Sequence, residues 1–164
     1  MLALHRNPWV CRMAQSGHSP PTSADDWIGV AKRELRNLRG AYIGQLSNDA
    51  KVDHALKATE AVLKAIIWKQ HGWSSWPGKT KGYKFLYNHD LQTMLDHCGS
   101  LRSRLRLSAH HWISWQVLAN AVLKQSRYSP TPPPDAEAHE VAKSARHPDK
   151  GIVPWLLARY HEMT

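Results

Sequence analysis

The sequence predicts an all-α protein, and three observations carry that prediction. The prolines are segregated: of ten, three precede Asp25, six follow Tyr128, and only Pro77 interrupts the stretch between. Apolar residues in that stretch recur at steps of three and four, the period of a helix face. No run shows the apolar and polar alternation of a half-buried strand.

The elements follow in order. Residues 1–22 read as a flexible leader, because Ser16, Gly17, Ser19, Pro20 and Pro21 argue against packed structure; Met13 competes with Met1 as the start. Ser23-Ala24-Asp25-Asp26 supplies a cap with acids in the first turn. Trp27, Ala31, Leu35, Leu38, Tyr42 and Leu46 then stand at steps of 4, 4, 3, 4 and 4, one apolar helical stripe. A second helix is expected from about Asn48, with Val52, Ala55, Leu56, Thr59, Val62, Leu63, Ile66 and Ile67 on one face and an end before His71-Gly72. On it Glu60 and Lys64 read as a surface pair one turn apart.

Residues 72–87, with three glycines and Pro77, read as a long loop anchored by Trp73, Trp76, Tyr83, Phe85 and Tyr87. These rings fit anchors better than base-stacking platforms, despite Lys79, Lys81 and Lys84 among them. Asn88-His89-Asp90 opens a short helix carrying Leu91, Met94, Leu95 and Cys98, stopped by Gly99, and His89 fits a capping or backbone-bonding role. A further helix runs from either Arg102 or Ser108 to Arg127. Its apolar residues on most sides, Trp112 to Leu123, predict a place at the centre or at an interface. Thr131-Pro132-Pro133-Pro134 forms a stiff linker, Asp135 can cap a polar helix reaching Ala145, and Pro154 opens a final segment with Trp155, Leu156, Leu157 and Tyr160. The expectation is one domain over 23–164, with a core at 23–128, a linker at 129–134 and a C-terminal segment at 135–164.

Composition narrows the function. The chain has 164 residues, 42% of them apolar, enough for a core that needs neither metal nor disulfide. Cys11 and Cys98 match no zinc spacing and suit a reducing cytoplasm. Lys and Arg exceed Asp and Glu by nine, and no acid occurs between Cys98 and Pro134, where Arg102, Arg104, Arg106, Lys124 and Arg127 all lie. Such a surface attracts polyanions, nucleic acid first. A membrane span is excluded by the lack of a long apolar run, and no P-loop, His-Glu-x-x-His or nucleophile motif occurs, so no cofactor or metal is expected.

Four blocks, in order, give the chain a resemblance to a known family. They are the first-helix run from Trp27 through Ala31 to Glu34-Leu35, the Ala-rich run from Ala55 to Ala65 with Glu60 and Lys64, the triplet His89-Asp90-Leu91, and Arg127-Tyr128-Ser129-Pro130. Over residues 25–130 this resembles the small HEPN domains of prokaryotic toxin–antitoxin, phage-defence and nucleotidyltransferase-associated systems. The resemblance implies an up-down bundle of four to five helices plus a short C-terminal helix. It also implies a metal-independent endoribonuclease whose Arg-x(4 to 6)-His motif is completed in a homodimer. Arg104 or Arg106 with His111, and Arg104 with His110, meet that spacing with six, four and five intervening residues, although Leu105 and Leu107 stand where the family commonly has a polar residue. Arg102, Lys124 and Arg127 become candidate RNA contacts.

The residue types suit the reaction. Metal-free RNA cleavage needs a base for the 2′-hydroxyl proton and positive charge on the crowded phosphate. Histidine exchanges protons near neutral pH, and arginine grips phosphate through two parallel hydrogen bonds. The product would be a 2′,3′-cyclic phosphate, and DNA, lacking the 2′-hydroxyl, would resist. Two other readings fit the same composition. One is a non-catalytic HEPN module that binds nucleotide or a nucleotidyltransferase or antitoxin partner. The other is a plain basic scaffold that binds DNA and RNA alike.

Overall fold

The computed structural model describes residues 21–40, 42–123 and 130–163, and every regular element among them is helical. The first helix, α1 (Ala24–Asn37), begins as its cap predicts, with Ser23 Oγ accepting the Asp26 N–H at 3.1 Å. The apolar stripe does not continue to Leu46 in one helix. Gly40 takes a left-handed φ of 62°, the chain turns after Leu38, and Tyr42–Gln45 forms a separate one-turn helix, α2.

The central element is α3 (Asn48–His71), 24 residues or roughly 36 Å long, capped by Ser47 at one end and by left-handed Gly72 at the other. It packs against α1 along its length, with Glu34 beside His54 and Trp27 beside Lys64, so the two helices run antiparallel. Loop 72–90 contains a 3₁₀ helix, Lys81–Tyr87, and its aromatic residues anchor it: Trp76 stacks on Trp68 at 5.2 Å, and Trp68 Nε1 donates to Trp73 O. Asp90, not His89, caps α4 (Leu91–Asp96) by accepting from Thr93 N.

The two starting points left open for the next helix are both used. The backbone forms α5 (Leu101–Arg106), breaks at Leu107-Ser108 and resumes as α6 (Ala109–Leu123). Pro134 stands at the N-cap of α7 (Asp135–Arg146), which places Asp135 in the first turn rather than at the cap. The C-terminal helix is α8 (Ile152–Glu162). The proline linker is pinned to the start of α3, since Asn48 Nδ2 donates to Pro133 O at 3.0 Å and Lys51 pairs with Asp135 at 3.1 Å. Both α7 and α8 pack on α3, and Tyr160 OH donates to Asp25 Oδ1, joining α8 to α1.

The core therefore centres on α3, which buries fourteen residues, whereas α6 buries Trp115, Leu118 and Ala121. On α6, Ile113 and Leu123 are 61% and 77% exposed. The expected centrality belongs to α3, because α1, α7 and α8 all converge on it. No helix among the described residues is long and apolar enough to cross a membrane.

Candidate active site

Arg104, Arg106, His110 and His111 flank the junction where α5 gives way to α6. The break at Leu107-Ser108 places Ser108 Oγ 2.6 Å from His111 Nδ1. His111 also meets Trp155 of α8, ring centroids 5.7 Å apart. Arg159, one turn further along α8, lies over that same Trp155 ring at 5.5 Å. Glu162 then joins Arg159 to Arg104, at 3.0 and 3.1 Å. Arg104 and His111 thus face one small region of α8, with Arg159, Trp155 and Glu162 between them.

The electrostatics favour a neutral imidazole. Partial burial holds the His111 pKa below its ordinary value, the nearby His110 and Arg159 charges push the same way, and a hydrogen bond with the Asp149 backbone opposes them. A neutral ring at pH 7 can accept a proton. Near it stand the guanidinium groups of Arg159 and, through their shared Glu162, Arg104. The Arg104–Glu162 pair is half exposed, so it is worth no more than about 1 kcal/mol and can open to a phosphate.

The other candidates divide. Arg106, the last residue of α5, lies 5.1 Å from the ring centroid of Trp112 on α6 and is not seen to meet His111, Trp155 or Glu162. His110 lies on the adjoining face of α6, on a cleft shared with α7. Arg102 pairs with Asp96 across the α4–α5 turn. Lys124 and Arg127 lie outside the described residues. No family model, curated protein or solved structure matches this chain.

Sequence reasoning did not find Arg159, Glu162 or Ser108. Arg159 and Glu162 come from a helix 48 or more residues beyond His111, and nothing local marks them as neighbours of Arg104.

A second polar cluster corrects the reading of Glu60 and Lys64 as a surface pair. Both side chains are about nine-tenths buried, with Lys64 Nζ 2.7 Å from Glu60 Oε1. Lys64 also sits 4.6 Å from the Trp27 ring centroid, and His89 Nδ1 lies 3.0 Å from each Glu60 oxygen. His89 holds a left-handed φ of 57°, an uncommon conformation for a residue with a Cβ. A carboxylate shared by an ammonium and an imidazole satisfies a buried charge, as its burial requires. Further along the α1–α3 interface, burial would raise the Glu34 pKa. The bond to His54 at 2.6 Å and the charges of His54, Arg33 and Lys57 outweigh it, so Glu34 ionises below its ordinary value. Among the described residues no group of three or more His, Cys, Asp or Glu side chains could hold a metal ion.

Proposed function

We propose that the protein is a HEPN-like RNA-binding protein and a metal-independent endoribonuclease of a toxin–antitoxin or defence system, with His111 as base and Arg104 as phosphate ligand. One observation supports this most: His111, its pKa held down, packs on Trp155 of α8, and on that helix Arg159 lies over the same ring and shares Glu162 with Arg104 of α5. In the reaction His111 accepts the 2′-hydroxyl proton and the 2′-oxygen bonds to phosphorus. The bond to the 5′ oxygen breaks, and that oxygen leaves with a proton from solvent. Arg104 and Arg159, released from Glu162, neutralise the charge gathering on the phosphate. Arg106 extends the basic surface, and Arg102, Lys124 and Arg127 remain proposed RNA contacts.

The test is cleavage of labelled single-stranded RNA in EDTA, beside a matched DNA strand and the His111→Ala variant. Expected are RNA products ending in a 2′,3′-cyclic phosphate, a loss of at least about 100-fold in the variant, and intact DNA. Uncut RNA with folded wild-type protein refutes the enzyme reading. The non-catalytic module is the second reading, favoured by one feature: the His111 ring is already engaged by Ser108 and by the Asp149 backbone. It predicts RNA or partner binding that survives in His111→Ala without any cleavage.

A further inference from the structure

On the face of α6 next to His111 a cleft of about 250 Å³ opens between α6 and the end of α7. It is smaller than the roughly 300–1,000 Å³ pockets that enclose drug-sized molecules, so it fits a small charged group. His110, Lys143, Ser144, His147 and Lys150 line it, with Glu140 as the lone carboxylate. Two exposed lysines and one glutamate thus border it, and among the described residues neither lysine is ion-paired.

The imidazole donor is held in place before any ligand arrives. His147 Nδ1 accepts the backbone N–H groups of Asp149 and Lys150, both at 3.2 Å, which leaves the ring proton on Nε2 as a donor. The turn that does this closes with Gly151 N donating to His147 O at 2.8 Å. It requires glycine, since a Cβ at residue 151 would stand 2.5 Å from His147 O and 2.6 Å from His147 N. Ser114 Oγ donates to Lys150 O at 2.9 Å, fastening the turn to α6. A preset donor loses little entropy when it binds, and an N–H donor with two lysines on the rim of a small space favours an anion rich in acceptor oxygens.

We infer that this cleft is a phosphate-binding subsite, formed by Lys143, Lys150 and the Nε2–H of His147. It takes either the phosphate of a nucleic-acid strand or a free phosphate, and it does not depend on whether His111 cleaves RNA. Because His110 borders the cleft and His111 faces the arginines, a strand phosphate held here lies one helix face away from the proposed cleavage centre.

The experiment follows the His147 imidazole and backbone resonances of the full chain by NMR at constant ionic strength. The probes are inorganic phosphate, a 5′-phosphorylated oligoribonucleotide and the same oligonucleotide with a 5′-hydroxyl. Saturable shifts at His147, weakened at least tenfold by the double substitution Lys143→Gln and Lys150→Gln with the fold unchanged, bear the proposal out. Tighter binding in Glu140→Gln does so too. Preference for the 5′-phosphorylated strand identifies a terminal phosphate, equal binding of both strands a bridging one, and response to inorganic phosphate alone a free anion. Absence of a saturable shift with all three probes, or shifts that the double variant leaves intact, overturns it. RNA cleavage without phosphate binding at His147, or the reverse, separates the fate of this site from that of His111.

Discussion

His111 gives up protonation for its position, and that has a thermodynamic signature. Its pKa is lower folded than unfolded, so in mildly acidic solution the unfolded chain binds more protons. The sign follows: the contribution is fully present above the ordinary histidine pKa of about 6.5 and is lost as pH falls through the lower folded value. Stability measured by urea unfolding should therefore decline below about pH 6.5. That part of the slope should vanish in His111→Gln, and an unchanged slope would contradict the burial argument. Glu60 and Lys64 offer a second test at this scale. Removing the ammonium leaves the buried Glu60 carboxylate leaning on His89, so Lys64→Met should cost up to about 3–5 kcal/mol. Glu60→Gln in the same chain should recover much of that loss, as a denaturant midpoint series would show. Local sequence could not distinguish this pair from a solvated one. Spacing by one helical turn is the same on either face, and the burial comes from Trp27, Trp76 and His89, which arrive from other segments.

Among the elements, the turn of 147–151 is the most constrained. Gly151→Ala places a methyl group against backbone atoms that cannot swing away, and a loss of about 2 kcal/mol or more is expected on thermal unfolding. A neutral result would mean that the turn relaxes without cost. Most helix spans were readable because their ends are chemical: Ser23, Ser47 and Asp90 bond the first free N–H groups, and Gly72 and Gly99 take left-handed conformations. The break at Leu38 was not, since Leu38 is fully buried and keeps the apolar period going up to the turn. Which helix is central was not readable either. An apolar surface on α6 and the mixed one on α3 look alike until α1, α7 and α8 are placed, and these enclose α3. Of the candidate site, the Arg104 and His111 spacing was legible, whereas Arg159 and Glu162 depend on where α8 docks.

For the whole molecule, exposed Ile113 and Leu123 sit on the helix that carries His110 and His111. The proposed activity implies a homodimer, and a shared α6 face would bring two sets of arginine and histidine together. Sedimentation at micromolar concentration should then show a dimer that Ile113→Lys converts to monomer, with cleavage lost in parallel. A wild-type monomer that still cleaves RNA would rule out a composite centre.

The bond between Tyr160 and Asp25 spans 135 residues of chain. The α1–α3 hairpin is local, whereas closing α8 on α1 costs the loop entropy of all the chain between them. Its one arginine, Arg159, is therefore expected to join the site late in folding. Until α8 docks, a nascent chain has His111 without Arg159 and Glu162, so any nuclease activity would be among the final properties the protein acquires.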